Sequence, residues 1–356
     1  MIKDTVNLIV VLSVILWISR KYKLQWWENS LIFLHLIVLF FINHYLPVSY
    51  LPDQIGYFNA SKEWRDLHSC THPFFTICST GFIFALFPLF IESYTSIALI
   101  NFIIYLLLLM FVLKIYEKHP FHNYIRLFVL LYPSLIFNSS LGLRDMLIVI
   151  FMISSIYYYV FADKRVMGLG LICPLILLKP QNFAILLAAF LIYESMNLRL
   201  NNKKLRVTFL LFVSFVFMLL VFKYYPMLYA ARNRMYAESY HLNPYIFDLT
   251  FPDWTLLELY RFFLAPLPWQ AKNIQQQIQG WETLGLLMVL SWLLYKLKDY
   301  KLNCVRLFVL VFILLIAAIL YSYAVFNWGA ITRYRFPFYL CWFLLLPLCI
   351  KPNKVS

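Results

Sequence analysis

Long apolar stretches alternate with short polar segments along nearly the whole chain. Most of these stretches approach the roughly 20 residues that a helix needs to cross the hydrocarbon core of a bilayer. The pattern predicts an all-α polytopic integral membrane protein with about eleven transmembrane helices, forming a single transmembrane domain over residues 1–356. The predicted spans lie near residues 5–19, 29–46, 94–115, 124–139, 145–162, 166–178, 182–196, 207–224, 281–297, 305–326 and 336–350.

Two segments between the spans are larger than the rest, residues 47–92 and residues 223–280. The first contains an apolar stretch, residues 74–90, which follows "THP" and is interrupted by "STG" and "FP". Because these residues break a continuous helix, the stretch is predicted to form a re-entrant or interfacial helix, not a span.

Composition and charge agree with a membrane protein and give its orientation. The chain is 63% apolar and only 13% charged, against about 25% charged residues in soluble domains. Its net charge of +14 does not indicate nucleic acid binding, because more than half of the 30 Lys and Arg residues fall in short segments on one predicted side. The positive-inside rule makes that side the cytoplasm. The two larger segments then face outward.

The sequence gives no sign of a structural metal or a nucleotide cofactor. Its six cysteines show no CxxC spacing; Cys70 and Cys78 could pair if they face the same compartment, but the scattered positions favour free thiols. His68 and His72 could hold a divalent ion together with Asp53, yet two histidines are a weak metal signal. With eight glycines and no GxGxxG or GxxxxGK[ST], no nucleotide cofactor is expected.

Several cations lie on the predicted outer side, contrary to the statistical rule, and some adjoin the ends of spans. Burying such charges is costly without an anionic partner. Taken singly, Arg144 could pair with Asp145, and the side chain of Arg333 could extend to the membrane interface. As a group, these cations predict a binding site for a lipid phosphate or pyrophosphate. One guanidinium group can donate two parallel hydrogen bonds to phosphate oxygens. These cations are Arg144, Lys179, Arg232, Arg234, Arg261, Arg333 and Arg335.

The first outer segment contains the candidate acid. In "YLPDQIGYFNASKEWRDLHSCTHPFF", Asp53 and Tyr57 follow a predicted span, and His72 precedes Pro73. A carboxylate at the membrane surface can accept the proton of an attacking hydroxyl. Alternatively, Asp53 caps the helix that begins at this point and has no chemical role.

The order of these motifs resembles that of membrane glycosyltransferases of the GT-C type, including those related to the protein mannosyltransferases and the aminoarabinose transferases of lipid A. The similarity rests on Asp53, "HP" at His72, "YPSLIFNSSLGLRD", "LKPQN" at Lys179 and "GAITRYRFPF", and it covers best the region from Asp53 to Asn182. Many such proteins have two adjacent acids in the first outer segment. This chain has Asp53-Gln54.

Residues 223–280 resemble the large outer loops of bacterial polysaccharide repeat-unit polymerases of the Wzy type. They are rich in Tyr, Trp, Arg and Asn, which stack on sugars and bind them through hydrogen bonds, although an interfacial aromatic belt would have similar residues. The resemblances imply a glycosyltransferase of the bacterial inner membrane whose active site faces the periplasm. It would polymerise O-antigen or similar repeat units from an undecaprenyl-pyrophosphate-linked oligosaccharide.

In this prediction Asp53 is the catalytic base, and Arg144, Lys179, Arg333 and Arg335 bind the departing pyrophosphate. The bilayer and a chain-length regulator protein are expected partners, without nucleic acid and without a resident metal. Two alternatives are a GT-C transferase that adds one sugar from a polyprenyl monophosphate and a flippase for lipid-linked oligosaccharides. Residues expected to contact the saccharide or to line the loops are Tyr57, His72, Asp145, Arg232, Arg234, Arg261 and Trp269.

Overall fold

A computed structural model of the protein describes residues 2–45, 52–197, 259–271, 274–324 and 328–350. Within these ranges the chain is helical and forms no strands, which confirms the predicted all-α class. Helices long and apolar enough to cross a membrane are found at four places, which supports a membrane protein. They are Lys3–Tyr22, Trp26–Tyr45, Tyr94–Tyr116 and Cys304–Tyr321.

The count of eleven spans is not confirmed. Two of the predicted spans are divided into shorter helices, at Pro133 and at Pro174, because proline lacks the N–H that would continue the helix and its ring clashes with the preceding turn. The predicted span at residues 207–224 lies outside the described residues. The predicted spans near residues 5–19, 29–46, 94–115 and 305–326 coincide with the four candidate helices. Those near residues 145–162, 182–196, 281–297 and 336–350 stay predictions.

The contacts group the chain into two compact units, Met1–Ser155 with Leu169–Phe183 and Ile156–Gly168 with Ala184–Ser356. The single transmembrane domain over residues 1–356 stays a prediction. The helices up to residue 197 are α1 (Ile2–Tyr22), α2 (Trp26–Tyr45), α3 (Pro52–Arg65), α4 (Phe75–Ala85), α5 (Tyr94–Tyr116), α6 (His122–Leu131), α7 (Pro133–Ser139), α8 (Asp145–Ile156), α9 (Arg165–Ile172), α10 (Pro174–Leu178) and α11 (Pro180–Asn197). The later helices are α12 (Ile274–Leu297), α13 (Cys304–Ala324) and α14 (Trp328–Leu345).

In the first unit, α1 and α5 lie side by side and begin at the same end. The Asn7 amide exchanges two hydrogen bonds with the backbone of Phe90, at 2.7 and 2.9 Å. The Asp4 carboxylate accepts from the hydroxyls of Ser93 and Ser96, at 3.1 and 2.8 Å. Ser93 also caps the N-terminus of α5 by accepting from the Ser96 backbone N–H.

Helices α6 and α7 together run along α2 in the same direction. Arg126 forms an ion pair with Glu28 near the start of α2, and the Asn43 amide near its end donates to the Ser140 carbonyl at 2.7 Å. The segments at residues 20–26 and 114–122 therefore share one end of this unit, and residues 52–92 and 140–145 share the other. This grouping agrees with the predicted alternation of loops, while the side that each end faces stays a prediction.

The break at Pro133 has a structural consequence inside the unit. Helix α6 ends at Leu131, and Pro133 begins α7, so the carbonyls of the last turn of α6 lose their usual helical partners. The His35 ring of α2 lies with Nε2 2.8 Å from the Leu130 carbonyl oxygen. Because a carbonyl only accepts, Nε2 donates to it, and this bond satisfies one buried acceptor.

Helices α3 and α4 form a tight hairpin. A Cβ added at Gly81 would lie 2.5 Å from the Ala60 Cβ, so only glycine allows this close approach. A disulfide joins Cys70 and Cys78, whose Cα atoms are 5.7 Å apart, so the expectation of free thiols is wrong for this pair. Helix α4 has 11 residues, about 17 Å of helix, which is too short to cross a bilayer. Its re-entrant or interfacial placement stays a prediction.

In the second unit, aromatic stacking and hydrogen bonds hold α11 against residues 157–161, which form a π-helical turn. The rings of Tyr159 and Phe190 stack with centroids 3.9 Å apart, and the Tyr193 hydroxyl donates to the Val160 carbonyl at 3.0 Å. Since a π-helical turn disturbs the regular backbone ladder, the tyrosine hydroxyl satisfies a carbonyl at that point.

The predicted outer segment at residues 223–280 lies largely outside the described residues. Its described part contains a helical stretch at residues 259–264 and a short 3-10 helix, Pro268–Gln270. A Cβ at Gly280 would lie 2.7 Å from the Pro268 nitrogen. The first half of α12 thus packs closely on this short helix.

Candidate functional site

The α7–α8 loop, residues 140–144, is the most constrained irregular segment of the first unit. Ser140, Leu141 and Leu143 are at most 1% exposed, which leaves backbone groups that must find partners inside the protein. The buried Asn101 amide of α5 donates to the carbonyls of Leu141 and Leu143. Side-chain amides from neighbouring helices therefore replace the backbone ladder that this loop lacks.

Two further amides extend this arrangement to α3. The Gln54 side chain donates to the Asn43 Oδ1 at 3.0 Å, and Asn43 in turn donates to Ser140 at 2.7 Å. A Cβ at Gly142 would lie 3.2 Å from the Gln54 Cγ, so the loop approaches α3 closely. We refer to Asn43, Gln54 and Asn101 as the amide cluster.

The amide cluster brings the candidate acid to the α7–α8 loop. Asp53 lies in the first turn of α3, half-buried, next to Gln54. This position suits an acid that stabilises a helix N-terminus, and it also lies at the end of the unit where Arg144 emerges. Both explanations of Asp53 are compatible with its place.

Arg144 and Asp145 begin α8 and have different environments. Asp145 is 1% exposed and lies in the first turn, while the Arg144 carbonyl accepts from the Ile148 N–H at 3.1 Å. Arg144 is half-buried, and its Nη1 is buried without a hydrogen-bond partner among the described residues. A cation beside a helix N-terminus is not stabilised by the helix dipole. An anion bound at this position would be a favourable partner for the Arg144 guanidinium.

His72 is held against α3 by the hairpin. Its Nδ1 accepts from the Phe74 backbone N–H at 3.1 Å, and a Cβ at Gly56 would lie 3.4 Å from its Nε2. Tyr57, the neighbour of Gly56, is 1% exposed and packs edge-on against Phe84. Tyr57 thus occupies a core position, and its contact with a saccharide stays a prediction.

Lys179 lies between α10 and α11, and α10 packs against α4 in the same unit. Its side chain is 4% exposed, unusual for lysine. The next turn is fixed by Asn182, whose amide contacts the Met152 sulfur at 3.2 Å. The first unit therefore contains Asp53, His72, Arg144 and Lys179 from four separate chain segments.

Arg335 of the second unit already has protein partners. Its Nη1 donates to the carbonyls of Phe262 and Ala265 at 3.3 and 2.9 Å, and its Nη2 donates to the Thr283 hydroxyl at 2.7 Å. The guanidinium also lies 5.5 Å from the Tyr339 ring centroid. This buried side chain joins α14 to α12 and to residues 259–265, and its phosphate contact stays a prediction.

The remaining predicted residues are more exposed or lie elsewhere. Arg261 and Arg333 are partly exposed within helical segments, and Trp269 is 73% exposed in the 3-10 helix. Arg232 and Arg234 lie outside the described residues. His68 is exposed, and no group of three His, Cys, Asp or Glu side chains able to hold a metal occurs in the part of the chain that the structure describes.

The amide cluster was not predicted from the sequence. Asn43 and Asn101 are single amides in apolar runs, "LFFINHY" and "SIALINFIIY", and polar side chains in such runs commonly form hydrogen bonds between membrane helices. That signal was present in the sequence, although the partner could not be read from it. Gln54 stands where the resembling proteins often have a second acid, and its role here is a hydrogen bond to Asn43.

Comparisons with known proteins add no relative. No model of a known protein family matches this chain, and neither the curated proteins nor the solved structures contain a significant match. Function must therefore be argued from the residues and their geometry.

Proposed function

We propose that this protein is a membrane glycosyltransferase that uses an undecaprenyl-pyrophosphate-linked saccharide at the periplasmic face and polymerises O-antigen or similar repeat units. The observation that carries the proposal is the Arg144 guanidinium, whose Nη1 is buried without a hydrogen-bond partner among the described residues. It stands at the start of α8, in the same unit as Asp53 and Lys179.

The anion in this proposal is the pyrophosphate of the donor. A guanidinium offers two parallel N–H groups to phosphate oxygens, and the first backbone amides of a helix favour an anion as well. Arg144 precedes α8, which has 12 residues, so both kinds of donor meet at one place. Lys179 supplies a second positive charge from the start of α11.

Asp53 is the proposed base. Its carboxylate takes the proton of an acceptor sugar hydroxyl as the oxygen forms a bond to the anomeric carbon of the donor. The bond from that carbon to the phosphate oxygen breaks, and the pyrophosphate leaves with the electron pair. Arg144 and Lys179 stabilise the charge that develops on the leaving group.

The disulfide supports an outward-facing site. The disulfide joins Cys70, in the connection after α3, to Cys78 in the first half of α4. Both cysteines belong to the end of the first unit that contains Asp53 and the α7–α8 loop. Disulfides persist in oxidising compartments such as the periplasm and are rare in the cytosol. The same end is opposite the cationic segments at residues 20–26 and 114–122, which the positive-inside rule assigns to the cytoplasm.

The residues of the second unit are not needed for this mechanism. Arg333, Arg261 and Trp269 are partly or largely exposed, and their contacts with donor or acceptor stay predictions, as do those of Arg232 and Arg234. Arg335 maintains the position of residues 259–265. The alternative glycosyltransferase, which adds one sugar from a polyprenyl monophosphate, would use the same residues of the first unit.

The test is deletion of the gene followed by gel analysis of the cell's lipopolysaccharide. We expect a single repeat unit on the core in place of a ladder. A core without any repeat unit would support the flippase instead, and an unchanged ladder length with altered mobility would support a transferase that adds one sugar. A fusion reporter after Lys204 should report the cytoplasm and one near Asp253 the outside; both on one side would contradict the outer site.

Complementation with variants tests the base. Asp53→Asn removes the proton acceptor with little change in shape, and we expect ladder synthesis to fall by about 100-fold or more. Asp66→Asn is the matched control, since Asp66 is an exposed acid just after α3. Equal activity of the two variants, at equal membrane protein levels, would leave Asp53 with only its role in the helix.

A further inference from the structure

Among the buried polar atoms of the first unit that have no partner among the described residues, three belong to uncharged side chains of α2 and α5 that the proposed site does not use. They are the His35 Nδ1, the Asn101 Oδ1 and the Tyr105 hydroxyl, and their side chains are at most 1% exposed. Buried polar groups in folded proteins nearly always have a hydrogen-bond partner. Three such atoms from two packed helices therefore require a common explanation.

The three groups lie together in the core between α2 and α5. Asn101 and Tyr105 are one turn apart on α5 and share a face. A long side chain in a helix covers the turn before its own Cα, so Tyr105 leans toward Asn101. The Tyr105 ring also contacts His35, with centroids 5.0 Å apart.

Their hydrogen-bonding capacities complement those of water. His35 donates through Nε2 to the Leu130 carbonyl, so the Nδ1 of the neutral ring is an acceptor. Asn101 uses its Nδ2 to donate to Leu141 and Leu143, which leaves Oδ1 as an acceptor. Water can donate to both acceptors and accept from the Tyr105 hydroxyl, which meets the requirement of two to four polar partners.

We propose that His35, Asn101 and Tyr105 form a buried water site. One bound water donates to the His35 Nδ1 and to the Asn101 Oδ1 and accepts from the Tyr105 hydroxyl, so all three buried groups find a partner. This inference does not depend on the glycosyltransferase proposal.

Few charges lie close enough to control this site. On α2 and α6 the nearest charged groups are Glu28 and Arg126, which pair with each other seven residues, or about 10 Å, before His35. Helix α7 has no titratable side chain, and on α5 the facing titratable group is Tyr105 itself. None of these charged groups is therefore placed to pair with the three buried atoms.

The site is one side chain away from the α7–α8 loop. Asn101 contacts that loop through Nδ2 and the water site through Oδ1. The water site is therefore part of the hydrogen-bond network that holds the carbonyls of Leu141 and Leu143, which precede Arg144.

Thermal unfolding of the full-length Tyr105→Phe protein is the first test. If the hydroxyl is bonded to water, its removal lowers the melting temperature by about 2 °C or more; if it has no partner, removal leaves the temperature unchanged or raises it. Tyr339→Phe is the matched control, because the Tyr339 hydroxyl donates to the Phe263 carbonyl at 2.6 Å and its loss should be destabilising. An unchanged or raised melting temperature for Tyr105→Phe overturns the proposal.

The second test is NMR of the full-length protein with ¹⁵N-labelled histidine, with His35 assigned by its response to Tyr105→Phe and by its absence in His35→Gln. We expect magnetisation transfer from water to the His35 ring and a proton on Nε2 but not Nδ1 at high pH. The transfer should weaken in Tyr105→Phe. A His35 ring that receives no transfer from water at any pH overturns the proposal, whatever the melting temperatures show.

Discussion

Arg144 of the first unit and Arg335 of the second unit have similar sequence surroundings but different partners. Both were predicted to bind phosphate, and both lie among apolar residues. Arg335 is 4% exposed and makes three hydrogen bonds to protein groups. Arg144 is half-buried, and its Nη1 has no hydrogen-bond partner among the described residues.

We infer from this difference that Arg335 has a structural role, while Arg144 keeps a buried donor available for a ligand. Arg335 holds three chain segments together, because residues 259–265 turn their carbonyls toward it. The carbonyls near Arg144 are occupied by the amide cluster instead. The amides of Asn43 and Asn101, and not the Arg144 guanidinium, therefore donate to the carbonyls of the α7–α8 loop.

The largest expected effect is that of Arg335→Ala. The variant leaves two carbonyls and the Thr283 hydroxyl without their donor, and each hydrogen bond to a charged group is worth about 1.5–3 kcal/mol. We expect loss of most folded protein, measured by fluorescence-detected size-exclusion chromatography. Arg333→Ala, on the same helix and more exposed, should retain the protein level. A well-folded but inactive Arg335→Ala protein would instead return this residue to the phosphate site.

Arg144→Ala should show the opposite pattern. We expect a normal level of folded protein and a fall of about 10- to 100-fold in ladder synthesis, the range that the loss of one charge-assisted bond implies. Arg144→Lys should be intermediate, because lysine retains the charge and loses the paired donors. An active Arg144→Ala protein would remove this residue from the site and end the contrast with Arg335.

Asn101→Leu tests whether the amide cluster causes the difference in hydrogen bonding between Arg144 and Arg335. It removes the donor to Leu141 and Leu143, at a cost of about 1–3 kcal/mol, and the released carbonyls can then attract Arg144. We expect a lower melting temperature together with reduced ladder synthesis. Ser155→Ala is the control, since the Ser155 hydroxyl bonds only within its own helix, to Met152. Similar decreases in melting temperature and ladder synthesis in both variants would show that the amide cluster does not control Arg144.

The smallest expected effect is that of Asp145→Asn. The carboxylate lies in the first turn of α8 and stabilises that end by about 0.3–1 kcal/mol. We expect a small decrease in the denaturation midpoint and retained ladder synthesis, both compared with Arg144→Ala in the same membranes. A complete loss of activity at an unchanged midpoint would give Asp145 a chemical role that its burial does not suggest.

The sequence predicted the helical class, the membrane character and a helix that does not span within residues 74–90, where the structure has α4, because long apolar runs and proline breaks have direct consequences for the backbone. It also grouped Asp53, His72, Arg144 and Lys179, since alternating loops return to the same end. It could not distinguish Arg144 from Arg335. That distinction depends on carbonyls of distant segments, and no local pattern indicates where those carbonyls point.

The bond between His35 and the Leu130 carbonyl also has a consequence for biogenesis. The predicted span at residues 124–139 contains the break between α6 and α7, and lipid would offer no donor to the exposed carbonyl at that break. Helix α2 precedes this stretch in the chain, so the donor, His35, is synthesised before the acceptor, the Leu130 carbonyl. Insertion of α6 and α7 should therefore depend on prior insertion of α2. A chain with His35→Leu should reach the translocon normally and then leave the α6–α7 stretch poorly inserted and open to proteolysis.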